Sequence, residues 1–558
     1  MNGADLLASE LLRHGVRWIA TLCGNGLNPF YLACKRAGIR LVDTHNEQAA
    51  AYMADAYARL TGRLGVCAVS SGIAHVNALS GIANAYFDGA PVLLITGASA
   101  GYGSFKGVFQ EFDQVSLAAP ICKFASSVNR AGDIAFLARR AISTAMAGRP
   151  GPVHLTIPVD VLEERVGGGS DSASAAQGTQ TLGRADPEAV RRAAELVEAA
   201  QRPLIVAGTG VFYARAQKQL IEFSEASAMP IVTPIWDRGA VEKTHPNFLG
   251  VVGAASGEPK ILADADLVVL VGALVDYRLG FLEEPAVRKD LSIVRLDSDP
   301  CRLRQGVEPR LAIQADLASA LGELAARARE GGVPRSHAEW LEEARRRWRL
   351  FRARWVEGPL PKGIMTGRHV VEAIRPFLSE DTVFLIDGGN IGQWAHMVLG
   401  DRYPSSWLTC GSSAVVGWGV PGAMAAKLAY PERKVLLLSG DGAFGFTITE
   451  LESAARQGLP FVAVVANDQA WGIVVSGQMQ ASGEEGVIAS RLGPTRYDEV
   501  AKAFGLVGVR AGSVEELASA IRKGFESKLP TVIDVPILQG GPADGPKSCT
   551  KRGSRGRW

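Results

Sequence analysis

The sequence predicts an α/β protein of three doubly wound parallel-sheet domains, on three observations. Short, continuously apolar runs recur along the chain without polar alternation, the pattern of strands covered on both faces. Helical stretches separate those runs, as right-handed βαβ crossovers require. The length of 558 residues suits about three domains, and 63 glycines suit many strand-to-helix turns.

The first unit is expected over residues 1–165. Val16–Thr21, Val66–Ser70, Val92–Thr96 and Leu155–Pro158 read as its buried strands, and the apolar pair Leu41-Val42 precedes an Ala-rich helix over Glu47–Leu60. From Val166 to Asp186 the composition falls to Gly, Ser, Ala, Thr and Gln, which reads as a linker. The second unit, 187–328, has strands at Leu204–Ala207, Ile231–Thr233, Leu267–Val271 and Ile293–Leu296, and Gly208-Thr209-Gly210 reads as a tight turn, with a nucleotide-type turn as the functional alternative. The Arg- and Trp-rich stretch from Arg345 to Trp355 follows, read as a solvated linker helix that packs Trp348 and Trp355 inward, with a basic patch for an anionic partner as the alternative. The third unit, 364–540, has strands at Val383–Ile386, Val435–Leu438, Phe461–Val465 and Thr531–Val535. The basic tail, 541–558, carries Lys547, Lys551, Arg552, Arg555 and Arg557 and reads as disordered, with a lid over a phosphate-bearing substrate as the functional alternative. The first and third units share an architecture that suggests an old duplication.

A net charge of +2 gives no field for nucleic acid or an acidic membrane surface, and no apolar run is long enough to span a bilayer. Seven dispersed cysteines without a Cys-x-x-Cys pair point to a reducing compartment and away from a zinc site or a disulfide frame. The N-terminus carries no basic leader, so the expected location is cytoplasmic.

The most informative stretch is Gly440-Asp441-Gly442-Ala443, after the apolar run Val435–Leu438, together with Asn467-Asp468-Gln469, after the run Phe461–Val465. Asp441 offers a carboxylate oxygen, Asn467 an amide oxygen and Gln469 a backbone carbonyl. With two diphosphate oxygens and a water, these three complete an octahedral Mg²⁺ site. The glycines let the backbone approach a phosphate, and the helix start that follows favours an anion. The span resembles the diphosphate-binding motif of thiamine diphosphate enzymes: Gly-Asp-Gly, a spacer of roughly two dozen residues, then Asn-Asn. Asn467 lies 26 positions after Asp441, with Ala466 in place of the first Asn and Trp471-Gly472 following.

The resemblance extends along almost the whole chain. Thr44-His45-Asn46-Glu47, followed by Met53-Ala54-Asp55-Ala56-Tyr57-Ala58-Arg59, is similar to the segment that carries the family's catalytic Glu. It implies that Glu47 hydrogen-bonds the aminopyrimidine and lets that ring act as a base. Ser71-Gly72 and Asn77 resemble the family's Ser-Gly-Pro-Gly-x-x-Asn turn, with Ile73 and Ala74 in place of Pro-Gly and His75 an unusual occupant. Phe109-Gln110-Glu111, then Pro120-Ile121-Cys122-Lys123, resembles the acetolactate synthase branch and implies that Gln110 orients the second carbonyl. Asp387-Gly388-Gly389-Asn390 is implied to hold diphosphate, with Gly389 and Asn390 as cofactor contacts. Ser412-Ser413-Ala414-Val415-Val416 resembles the segment in which a carbonyl (here of Ala414) meets the aminopyrimidine and an apolar wedge (here Val416) bends the cofactor. Ser412, Trp471, Gly472 and Ile473 join the expected cofactor contacts, as does Gly24 in the loop after the first strand, which lacks the His of benzaldehyde-lyase-like enzymes.

The absence of a His-His pair disfavours a simple pyruvate-decarboxylase-like proton relay. Gly272-Ala273-Leu274-Val275-Asp276-Tyr277-Arg278 has Leu274 where flavin-binding relatives carry Arg, which counts against FAD. The resemblance implies an acetolactate-synthase-like carboligase acting on 2-keto acids or 2-hydroxy ketones. The alternatives are an enzyme of the 2-hydroxyacyl-CoA lyase or oxalyl-CoA decarboxylase type, and an inactive regulatory or binding paralogue. It also implies a homodimer or homotetramer, with the cofactor between the first unit of one copy and the third unit of another.

Overall fold

All strand pairs run parallel, in three six-stranded sheets, in a computed structural model that describes residues 1–103, 106–167, 183–237, 239–253, 260–356, 363, 365–400 and 406–540. The first sheet holds β1 (Trp18–Leu22), β2 (Arg40–Asp43), β3 (Gly65–Val69), β4 (Val92–Ala98), β5 (Phe124–Ser127) and β6 (Val153–Pro158), in the order β2-β1-β3-β4-β6-β5. The second holds β7 (Pro203–Ala207), β8 (Ile231–Pro234), β9 (Phe248–Val252), β10 (Leu267–Val271), β11 (Ser292–Asp297) and β12 (Leu311–Gln314), in the order β12-β11-β10-β7-β8-β9. The third holds β13 (Thr382–Asp387), β14 (Trp407–Thr409), β15 (Lys434–Gly440), β16 (Val462–Asn467), β17 (Val507–Arg510) and β18 (Thr531–Pro536), in the order β14-β13-β15-β16-β18-β17. The first and third sheets therefore have one and the same winding, while the second follows the order of dinucleotide-binding folds.

In such sheets the crevice opens where the winding reverses, beyond the carboxyl ends of the strands. In the first sheet that point lies between β1 and β3, where Gly24 packs against Ser70; a Cβ on Gly24 would fall 2.4 Å from that of Ser70. In the second it lies between β7 and β10, at Gly208, Gly210 and Gly272. In the third it lies between β13 and β15, at Gly388-Gly389 and Gly440-Asp441.

The central strands are continuous apolar runs with both faces covered, as in Leu267–Val271 and Val435–Leu438. The first and third units share one core, in which the helix Glu47–Thr61 packs on the helix Gly419–Ala429. Buried polar groups fix that packing. Trp418 Nε1 donates to Asp55 Oδ2 at 2.9 Å, and Arg59 lies 3.4 Å from the Asp55 carboxylate and 3.3 Å from that of Asp88. The Arg-rich helix, Arg335–Val356, buries Trp340, Trp348 and Trp355, while Arg345, Arg346 and Arg347 pair with Glu342, Glu343 and Asp264. Most of the expected linker (168–182) and the basic tail (541–558) lie outside the described residues. Among the described residues no helix is long and apolar enough to cross a membrane.

Candidate functional site

A cavity of about 290 Å³ opens at the switch point of the third sheet. Gly388, Gly389 and Asn390, the Gly440-Asp441-Gly442-Ala443 turn, and Ala414, Val416, Trp471, Gly472 and Ile473 are among the residues that line it. The backbone makes this shape. Gly388 and Gly389 have φ of 42° and 84°, the left-handed region that side chains disfavour. A Cβ on Gly442 would fall 2.8 Å from the Trp471 ring, so the ring and the glycine specify each other. Ala414 also has positive φ, 54°, which turns the chain at the cavity wall.

The pairing of Gly440 with Ala466 sets Asp441 beside Asn467 at the ends of β15 and β16. Asn467 is 5% exposed, and its Nδ2 donates to Thr495 O and Asp534 Oδ1, both at 2.9 Å. Its Oδ1 is buried and accepts no hydrogen bond. Burial, with the Asp468 carboxylate alongside, raises the pKa of Asp441, so the pair is short of positive charge. An unpartnered amide oxygen next to two crowded carboxylates is a donor set that fits a hard divalent cation. Asn390 Nδ2 is likewise buried without an acceptor and lines the cavity, as a diphosphate donor would. Behind this wall Asp387 accepts from Gly419 N at 2.8 Å, and burial pushes its carboxyl up to about 7.

Three expected contacts of the third unit do not line the cavity: Asn467, which is buried behind it between Ala466 and Asp468, and Gln469 and Ser412. The Gln469 carbonyl accepts from Leu492 N at 2.7 Å, which leaves one lone pair for an ion, and the residue does not line the cavity. Ser412 turns toward the first unit: its N and Oγ both donate to Asp88 Oδ1 at 2.9 Å.

The expected residues of the first unit form a separate group. Glu47 opens its helix behind the Asn46 cap and is 9% exposed; Asn77 Nδ2 donates to Glu47 Oε2 at 3.0 Å. Nearby, Ser71 Oγ donates to Gln110 Oε1 at 3.3 Å, and Gly72 lies so close to Gln110 that a Cβ would fall 2.3 Å from that of Gln110. Gln110 itself has φ of 58°. None of Gly24, Glu47, Asn77 or Gln110 lines the cavity of the third unit. Large apolar side chains stand exposed on both parts: Ile73, Val76 and Phe109 on the first unit, Phe446, Ile473 and Val474 on the third.

Sequence reasoning quoted Asp468 without assigning it a place in the site, although it lines the cavity. It missed Trp236, which reaches the same cavity from the second unit. No motif marks that residue; only the path of the chain brings it there. A second cavity, of about 1050 Å³, lies between the first and second units, lined by residues that include Asp88, Arg149, Gly210, Leu274 and Arg302.

Three family models match the chain. They are the thiamine pyrophosphate enzyme N-terminal TPP binding domain over residues 1–117, the central domain over 190–324, and the C-terminal TPP binding domain over 387–535. The acetolactate synthase large subunit IlvG of Mycobacterium tuberculosis is 31% identical, covering 96% of this chain and 95% of its own. The 2-hydroxyacyl-CoA lyase 2 of Homo sapiens is 30% identical (91% and 85% covered), and that of Mus musculus 29% (94% and 87%). With the glycine-walled cavity at the third switch point, these likenesses establish that the chain belongs to the thiamine diphosphate-dependent enzymes, which form or cleave carbon–carbon bonds.

Proposed function

We propose that the protein is a Mg²⁺- and thiamine diphosphate-dependent carboligase of the acetolactate synthase type, acting on 2-keto acids or 2-hydroxy ketones. The observation that carries the cation is the orphaned Asn467 Oδ1 beside Asp441. In this reading Asp441, Asn467 and the free lone pair of the Gln469 carbonyl hold the metal, Asp468 adds negative charge, and Asn390 and the glycine amides hold diphosphate. Bound thiamine diphosphate supplies a carbanion equivalent that adds to a carbonyl carbon. Val416 and Ala414 orient the rings, and Trp471 closes the diphosphate end against water.

Glu47 holds the proton at the aminopyrimidine nitrogen, and Asn77 keeps its carboxyl in place. Gln110, with Ser71 at its amide oxygen, orients the second carbonyl. Since these residues do not line the cavity within one chain, the complete site in this reading takes Glu47 from a second copy. The exposed apolar side chains beside both halves supply the area such a dimer would bury.

The test is incubation with thiamine diphosphate, Mg²⁺ and pyruvate, followed by acid treatment and an acetoin assay. Acetoin formation is expected. A second reading, an acyl-CoA lyase, is favoured by one observation: the 1050 Å³ cavity, with Arg149 and Arg302 on its wall, has room for a nucleotide-bearing thioester. No acetoin, but ligation of formyl-CoA to an aldehyde, would establish that reading instead.

A further inference from the structure

Among the described residues, every side chain that lines the 290 Å³ cavity belongs to the third unit except that of Trp236. Trp236 follows β8, two residues past Pro234, and adopts φ of 71°. For a bulky residue that conformation is strained and persists only where the surroundings enforce it. Here they do, from both sides. Arg278 Nη1 donates to the carbonyl of Ile235 at 2.9 Å and to Asp237 Oδ1 at 2.5 Å, so a single guanidinium grips the residues before and after the tryptophan. Asp237 Oδ2 accepts from Thr209 N at 2.9 Å, and Asp276 holds the other edge of Arg278 at 2.8–3.1 Å. Arg278 and Asp237 are both buried.

The clamp also sets where the indole stands. Its ring lies 6.4 Å from that of Tyr277, whose hydroxyl donates to the carbonyl of Ser412 at 3.1 Å. Ser412 lies two residues before Ala414 and four before Val416, the segment assigned to the cofactor rings. The indole therefore lines the cavity on the side tied through Tyr277 to the Ser412–Val416 segment, which in the proposed reading faces the cofactor rings, where a substrate carbonyl must enter.

We propose that Trp236 is a specificity-determining residue: a wall held rigid by Arg278 that admits small aliphatic carbonyl acceptors and excludes aromatic ones. The inference rests on the reading of this cavity as the thiamine diphosphate site. Rigidity is what makes the wall selective, since a mobile side chain would yield to a larger acceptor.

Wild type, Trp236→Phe and Trp236→Ala, each loaded with thiamine diphosphate and Mg²⁺, are to be assayed with pyruvate as donor and acetaldehyde or benzaldehyde as acceptor. Trp236→Ala is expected to raise the benzaldehyde-to-acetaldehyde ratio of kcat/KM by about tenfold or more, with Trp236→Phe between. Cofactor Kd, measured by calorimetry, should stay within about threefold. A readout without turnover is the quench of tryptophan fluorescence on cofactor binding: Trp236→Phe should lose part of the amplitude contributed by the ten tryptophans. An unchanged acceptor ratio in variants that bind cofactor normally, or an unchanged quench, would overturn the role of Trp236. Failure of wild type to bind thiamine diphosphate would overturn the cofactor reading and this inference with it.

Discussion

Replacing Glu47 by Gln separates folding from chemistry at one atom. In the native chain Asn77 Nδ2 donates to Glu47 Oε2 at 3.0 Å, and Glu47 is 9% exposed. A glutamine carbonyl oxygen can take the same bond with the same side-chain volume. What folding loses is the charge assistance of one hydrogen bond, about 1 kcal/mol. In the proposed function the reaction loses its proton carrier, worth about 100- to 10,000-fold, or ~2.7 to ~5.5 kcal/mol of activation free energy. The disparity is the diagnostic. Thermal unfolding and calorimetric titration with thiamine diphosphate should give values close to wild type, while kcat for acetoin formation from pyruvate falls by at least about 100-fold. Full turnover in Glu47→Gln would refute the assigned role. A turnover loss matched by an equal loss of cofactor affinity would show that Glu47 holds the fold of the site and not its proton.

Gly442→Ala places a Cβ 2.8 Å from the Trp471 ring, so the ring must leave the cavity wall. The expected cost is about 1–3 kcal/mol, seen as cofactor affinity weakened about fivefold or more by calorimetry; unchanged affinity would count against the cavity as the diphosphate site. Asp387 gives a pH test. Burial holds its pKa at about 7 in the folded chain, against about 3.9 unfolded. The folded state thus binds the extra proton, and this contribution to stability is full below about pH 4 and lost as the pH rises through 7. Urea unfolding between pH 5 and 8 should show wild-type stability falling by up to ~1.4 kcal/mol per unit from this group, with a flatter profile in Asp387→Asn; parallel profiles would contradict it.

The expected interior strands were legible because burial on both faces writes itself as an unbroken apolar run, as in Val435–Leu438. The strands that sequence reasoning missed are β5, β9, β12, β14 and β17, and all five lie at sheet edges. Edge strands are short and often carry polar or small residues: Phe124–Ser127 is half-buried throughout, and Val507–Arg510 exposes both ends. The inward packing of Trp348 and Trp355 was readable from helical spacing and is seen in the structure. Asp441 and Asn467 could be placed together because one directly follows and the other ends a clear strand, and the register of those strands sets them side by side. Ser412 was harder to place, because its partner, Asp88, is hundreds of residues away in sequence. Trp236 was invisible for the same reason. Its position depends on Arg278, a residue of another βα connection, and on a backbone conformation that no propensity suggests for tryptophan.

Mixing two inactive variants is the most direct test of a site shared between copies. Glu47→Gln and Asp441→Ala should each be inactive alone. If the cofactor bridges the first unit of one copy and the third unit of another, random dimers of the two chains place both native residues together in about one quarter of all sites. Mixed after dissociation and reassociation, the pair is expected to recover about a quarter of wild-type turnover. No recovery, in a mixture shown by native mass spectrometry to contain the mixed dimer, would mean that Glu47 and Asp441 never serve one site across a subunit boundary.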